Sequence, residues 1–304
     1  MNLIEIGNLS ENEARAYFEK LRWPNGVECP HCENTEKIYS LAGKSTRPGL
    51  YKCGKCRKQF TVTVGTIMHR SRLTMKQWLV AFHQMASSKK GISALQLQRE
   101  LGIKQYKSAW FQAHRIRLAM EEKLFQEEIS GTVEVDETYI GGKPRVGNNG
   151  EPSKTGRGTK KTAVLALVSR ENKAFSKPVE MVNAENLKGA IRKMVDEESR
   201  IITDEWPSYG GIGEEFDGGH ETVNHSRKEY VRGDVHTNTV ESYFSLMKRG
   251  VMGAFHHVSK EHLHRYCDEF SFRWNNREVT DGERTENAIR GIEGKRLVYK
   301  IKLA

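Results

Sequence analysis

The sequence predicts an α/β domain over its C-terminal half, preceded by a small cysteine-bearing module and a short helical domain. Three observations carry this. From Gly131 onward, strand-like apolar runs are followed by helical ones, an order that suits a sheet covered by helices. Four of the five cysteines form two close pairs near the N-terminus. Between these regions lie helix caps, glycine turns and a large excess of positive charge. A chain of 304 residues has room for two or three modules, one with a sizeable core.

Taken in order, Ser10 and Glu13 form a capping box ahead of the apolar face Ala14, Tyr17, Phe18 and Leu21, and Trp23-Pro24-Asn25-Gly26 ends that helix. Thr74 with Gln77 opens a second helix bearing Trp78, Leu79, Phe82 and Met85, which Gly91 breaks. Ser93 with Gln96 opens a third, which stops at Gly102, and a fourth runs from Gln105 into Phe125. Strands are expected at 132–140, 162–170, 177–183 and 200–203, with helices at 185–198, 239–252 and 260–274. The expected domains are 1–68, 69–128 and 129–304.

Composition excludes several classes. With 37% hydrophobic and 29% charged residues the chain is globular rather than disordered. Its longest strongly apolar run, 162–168, is too short to cross a bilayer. The N-terminus has no basic-then-apolar leader pattern, and paired cysteines without a wider framework suit metal binding in a reducing compartment, hence a cytoplasmic protein. The net charge of +10 is uneven: residues 37–120 hold 17 Lys and Arg against one acid, Glu100. Such a segment calls for a polyanion, and nucleic acid is the leading partner.

Cys29-Pro30-His31-Cys32 and Cys53-Gly54-Lys55-Cys56 are C-x2-C knuckles separated by 20 residues. This spacing lets four thiolates close a tetrahedron around Zn²⁺, and a filled tetrahedron makes the ion structural. Cys267 reads as a core thiol and His31 as no ligand. Residues 91–120 read as a helix-turn-helix, with Lys104, Gln105, Lys107, Ser108 and Gln112 facing a DNA groove and His114, Arg115 and Arg117 near phosphates. Trp110, Ile103 and Leu118 are expected on the buried side. A helical hairpin with a glycine turn would show the same pattern.

Three acids stand out. Asp136 lies within a strand, Asp204 ends an apolar strand, and Glu241 opens a helix on which Lys248 follows seven positions later. A carboxylate in an apolar strand is costly unless it is paired or binds a cation. Strand-end carboxylates beside a helical one suit Mg²⁺ or Mn²⁺, with which two bridged ions can activate water or a 3′-OH.

The chain resembles the zinc-ribbon group of DDE transposases of bacterial insertion sequences. The resemblance runs from Arg22-Trp23-Pro24 and the first knuckle through Gln59-Phe60-Thr61-Val62 and Gly65-Thr66-Ile67. It continues in Val135-Asp136-Glu137-Thr138-Tyr139-Ile140-Gly141-Gly142, His236-Thr237-Asn238-Thr239-Val240-Glu241-Ser242, Lys248-Arg249-Gly250 and the closing run 270–277. It implies an RNase H-like catalytic core preceded by the zinc ribbon and helix-turn-helix-like domain. It further implies a catalytic, magnesium-binding triad of Asp136, Asp204 and Glu241, and DNA contacts by Lys248 and Arg249. Some members of the group carry Asn at the third position, which makes Asn238 the competing residue. Glu241 is preferred because a third anion better neutralises two divalent ions.

The implied function is cleavage and joining of double-stranded DNA at terminal repeats and target, by a homodimer or larger synaptic complex associated with the nucleoid. The basic loop 143–161 either holds DNA backbone or is only a surface loop. Two other functions compete: a non-catalytic zinc-ribbon DNA-binding regulator, and an RNase H-like nuclease without strand transfer.

Overall fold

The computed structural model describes residues 1–121, 128–141, 161–171 and 173–298. The chain divides into two compact units, the first made of Met1–Ser88, Ile92–Glu121 and the segment from Glu278 onward, the second of Lys89–Gly91 and Glu122–Arg277. These units are coarser than the three consecutive domains expected at 1–68, 69–128 and 129–304. The ribbon and the helices belong to one unit, and the C-terminal segment joins them.

The first unit is built around α3 (Met75–Ser87), which buries eight of its thirteen residues. A helix apolar on most sides needs neighbours all round, and α1 (Leu3–Asn8), α2 (Glu11–Arg22), α5 (Tyr106–Met120) and α9 (Asp281–Arg290) supply them. Ser10 and Thr74 form the capping boxes read from the sequence. Glu11 goes further, accepting the Met75 and Lys76 backbone N–H groups at 2.7 and 3.1 Å, so that the start of α2 caps α3. The unexpected α9 is capped by Thr280 and Glu283. Buried Ala288 and Ile289 anchor it, as do a His83–Thr285 hydrogen bond of 3.0 Å and Tyr17 donating to Glu286 at 2.7 Å. Those contacts are why the last helix leaves the α/β unit.

The ribbon is a three-stranded antiparallel sheet of β1 (Ile38–Leu41), β2 (Leu50–Cys53) and β3 (Gln59–Phe60). Trp23, Tyr51 and Phe60 pack ring against ring beneath it. Helices α4 (Ala94–Glu100) and α5 meet through Gly102, whose φ of +62° favours glycine. Helix α5 ends at Met120, and residues 122–127, where the sequence reading carried it on, lie outside the described residues.

The second unit is a five-stranded mixed sheet in the order β6-β5-β4-β7-β8. Strand β5 (Thr162–Ser169) runs antiparallel to both β4 (Thr132–Ile140) and β6 (Ala174–Val179), whereas β7 (Arg200–Asp204) and β8 (His220–Val223) run parallel to β4. Helix α6 (Ala184–Met194) covers one face, over Val133, Val135, Leu165 and Leu167. Helices α7 (Asn238–Gly250) and α8 (Leu263–Asn275) cover the other, over Val164, Ala166 and Val168. Burial on both faces explains the unbroken apolar run of β5. Cys267 is buried in the second core, as expected.

Strand β6 starts three residues before the expected 177, because pairing with β5 runs back to Ala174; Pro178 is tolerated because the strand is at the edge. Helix α6 stops at Met194 rather than 198. The acids Asp196, Glu197 and Glu198 would oppose the negative end of the helix dipole there. Strand β8 and helix α1 were not expected. Among the described residues no helix is long and apolar enough to cross a membrane.

Candidate active site and metal centre

Residues two apart on a strand share a face. On β4, Val133 and Val135 enter the core under α6, which leaves Glu134 and Asp136 on the face covered by α7 and α8. Asp136 pairs across the ladder with Ala166, and two positions beyond the Glu134–Ile202 pairing the parallel strands reach Asp136 and Asp204. Asp204 ends β7 and accepts the Trp206 backbone N–H at 3.0 Å. Glu241 lies in the first turn of α7, exposed, and accepts from the Thr237 hydroxyl at 3.2 Å.

Electrostatics ties the three together. The Asp136 carboxyl is pushed up to about 7, first by burial, then by the charge of Glu137, with Asp204 and Glu241 adding to it; the Glu137 N–H, donated at 2.7 Å, opposes the shift. An anionic set in which Asp204 and Glu241 raise the cost of ionising Asp136 suits a hard divalent cation, which would reverse that cost. Asn238, the competing third residue, is exposed at the first position of α7.

Sequence reasoning missed Glu134. It is fully buried, and its carboxylate accepts the Thr239 and Val240 backbone N–H groups at 2.7 and 3.0 Å and the Thr239 hydroxyl at 2.9 Å. Arg170 donates to it at 2.8 Å, and the His236 ring lies 3.2 Å away. A buried carboxylate is tolerated when paired and bonded in this way. Its effect is to hold the first turn of α7, and with it Glu241, against β4. The signal was present: Glu134 and Asp136 are alternate acids in one apolar strand.

At the ribbon, the sulfurs of Cys29, Cys32, Cys53 and Cys56 all lie within 4.8 Å of one another. The Cys29–Cys56 and Cys32–Cys53 separations are both 3.6 Å. Zinc about 2.3 Å from each sulfur of a tetrahedron sets them about 3.8 Å apart, so the four cysteines fit it. Glu33 and Arg57, each following a knuckle's second cysteine, take left-handed φ of 57° and 60° and turn the chain back. Burial pushes the Cys29 thiol up to about 12, while the Cys56 backbone N–H brings Cys53 down to about 7. His31 is exposed and outside the cluster, as expected.

Lys104, Gln105 and Lys107 are exposed at the start of α5, and Lys248 and Arg249 are exposed in the last turn of α7. Arg117 corrects the sequence reading. It is 2% exposed, His114 0% and Gln112 1%, so none of the three presents its side chain to a phosphate or groove. Helical phase explains this, since α5 packs against α3, α4 and α9 and turns these polar residues inward. Ile103 is buried as expected, whereas Trp110 and Leu118 are half-buried. The loop 143–161 lies outside the described residues except Lys161.

The sheet order, with helices on both faces, defines an RNase H-like α/β unit, and the four-cysteine knuckles define a zinc ribbon in the other unit. The ISXO2-like transposase domain family matches residues 128–275, and the transposase zinc-ribbon domain family matches residues 9–59. The chain belongs to the zinc-ribbon group of DDE-type transposases of insertion sequences. A relative, an uncharacterized protein in transposable element ISH50 of Halobacterium salinarum, is 28% identical over 276 residues, covering 87% of this chain and 91% of its own. Among solved structures, the Mos1 strand transfer complex is 14% identical with a TM-score of 0.30, covering 69% of this chain and 73% of that one. The Mos1 paired-end complex with the left transposon end is 14% identical with a TM-score of 0.29, covering 70% and 74%. Likeness at that level is loose.

Proposed function

We propose that this transposase binds the terminal repeats of its element and carries out divalent-metal-dependent strand cleavage and strand transfer. The observation that supports the reading is the Asp136 carboxyl, raised first by burial and then by the charges of Glu137, Asp204 and Glu241. These three would hold Mg²⁺ or Mn²⁺, which supplies activation of the attacking oxygen and stabilisation of the leaving one. Glu134 fixes the helix that carries Glu241. Lys104, Gln105, Lys107 and Arg115 in the first unit, and Lys248 and Arg249 at the end of α7, would bind backbone phosphates and groove edges.

In the first step a water oxygen bonds to phosphorus at the element's end and the P–O3′ bond breaks, freeing a 3′-OH. In the second that 3′ oxygen attacks a target phosphodiester and displaces its 3′ oxygen, so one ester replaces another. Joining two ends to one target implies a homodimer or larger assembly, acting at the nucleoid in the cytoplasm.

The test is an in vitro assay on labelled terminal repeats with Mg²⁺. Wild type is expected to cut and join them, and Asp136→Asn to bind the repeats without cutting. Full cleavage by Asp136→Asn would refute the assignment, and cutting without joining by wild type would make the chain a nuclease.

A further inference from the structure

We propose that the first unit holds a pocket for one nucleotide of DNA, gripping a backbone phosphate and the ring attached to it. The proposal rests on the DNA-binding reading above and adds a site that the helix-turn-helix pattern does not contain. A cavity of about 240 Å³ opens between the loop leading into α3 and one face of α5. Its cations are Arg70 and Arg72 from the loop and Arg115 from the helix, and no carboxylate lines it. Among the described residues no ion pair joins these three arginines to an acid.

Two buried polar atoms of lining residues, the Arg115 Nε and the Gln112 Oε1, have no hydrogen-bond partner among the described residues. Gln112 is only 1% exposed, and its Nε2 is already committed to the Gln77 carbonyl at 3.2 Å. An orphaned donor on a guanidinium that lines a cavity is costly unless a ligand completes it. Arg115 also lies 4.4 Å from the Phe111 ring centroid, and burial together with the charge of Arg296 disfavours its cation. An anion would relieve both effects.

The pocket is built rather than accidental. Ser71 Oγ accepts the Leu73 N–H and the Trp78 indole N–H, each at 3.1 Å, which fixes the loop carrying both arginines. Guanidinium groups suit phosphate oxygens, and the half-buried Leu73 and Phe111 side chains on the lining suit a sugar or base. A lone inorganic anion would leave that apolar lining unused.

The experiment uses the full zinc-loaded chain and fluorescence anisotropy with two duplexes, a terminal repeat and a random sequence, across a salt series. The double variant Arg70→Gln/Arg72→Gln, at two exposed positions, is expected to melt like wild type yet bind both duplexes about tenfold more weakly. Its log–log salt slope is expected to be shallower by about 0.9, one phosphate contact. Thymidine monophosphate is expected to displace the duplex at lower concentration than inorganic phosphate. Unchanged affinity and slope in the double variant, while Lys104→Ala weakens binding, would overturn the pocket and leave the DNA reading standing. Failure of wild type to bind either duplex would overturn both, and equal potency of the two competitors would overturn the ring contact.

Discussion

Replacing Asp136 with asparagine is expected to stabilise the Mg²⁺-free fold while removing strand cleavage. The carboxyl sits at about 7 against an ordinary value of 3.8, so the folded chain prefers it protonated. A raised carboxyl leaves stability intact below its unfolded value near 3.8, and that stability is lost as pH climbs toward the folded value. A rise of that size corresponds to a cost on the order of 4 kcal/mol above pH 7, an upper figure because the side chain is partly solvated. Asparagine keeps the shape and cannot ionise. In urea melts without Mg²⁺, zinc retained, the variant is expected to exceed wild type by a few kcal/mol at pH 8 and by little at pH 4. Added Mg²⁺ is expected to stabilise wild type at pH 8 and the variant much less. Equal stabilities at pH 8, or an equal response to Mg²⁺, would refute the electrostatic account of the site.

Glu134→Ala removes the acceptor for two α7 N–H groups and leaves Arg170 uncompensated, and is expected to cost about 3–5 kcal/mol in denaturant melts. Glu134→Gln is the milder test, with cleavage expected to fall even where the fold survives. Cys53→Ser is expected to lower bound zinc, measured by metal analysis, and to abolish duplex binding with loss of ribbon structure. Arg117→Ala is expected to destabilise the first unit by about 1–3 kcal/mol and leave the salt slope of DNA binding unchanged, whereas Lys104→Ala lowers that slope without a change in melting.

What the sequence made legible was local. The Ser10 and Thr74 boxes, the knuckle spacing and the apolar alternation of 132–140 are each complete within a few residues, and each element formed where it was read. Partnering across the chain was less legible. Arg117 and His114 look like a basic helix face until the helices around α5 fix its phase and turn them inward. Glu134 does not stand out in the sequence because its partners, Thr239 and Val240, are over a hundred residues away. Helix α9 was missed although Thr280 and Glu283 spell a capping box, since a short polar-rich helix shows its burial only against α3.

The placement of α9 also sets the order in which the protein can be made. The α/β unit is nearly all one continuous stretch, whereas the ribbon-bearing unit needs residues at both ends of the chain. At ribosomal speeds of about 5–20 residues per second, the helix that closes α3 emerges on the order of ten seconds after α5. The half that begins synthesis first is therefore the half that finishes folding last. A fragment cut at 128 repeats that unfinished state permanently, with the face of α3 that α9 covers left open to solvent.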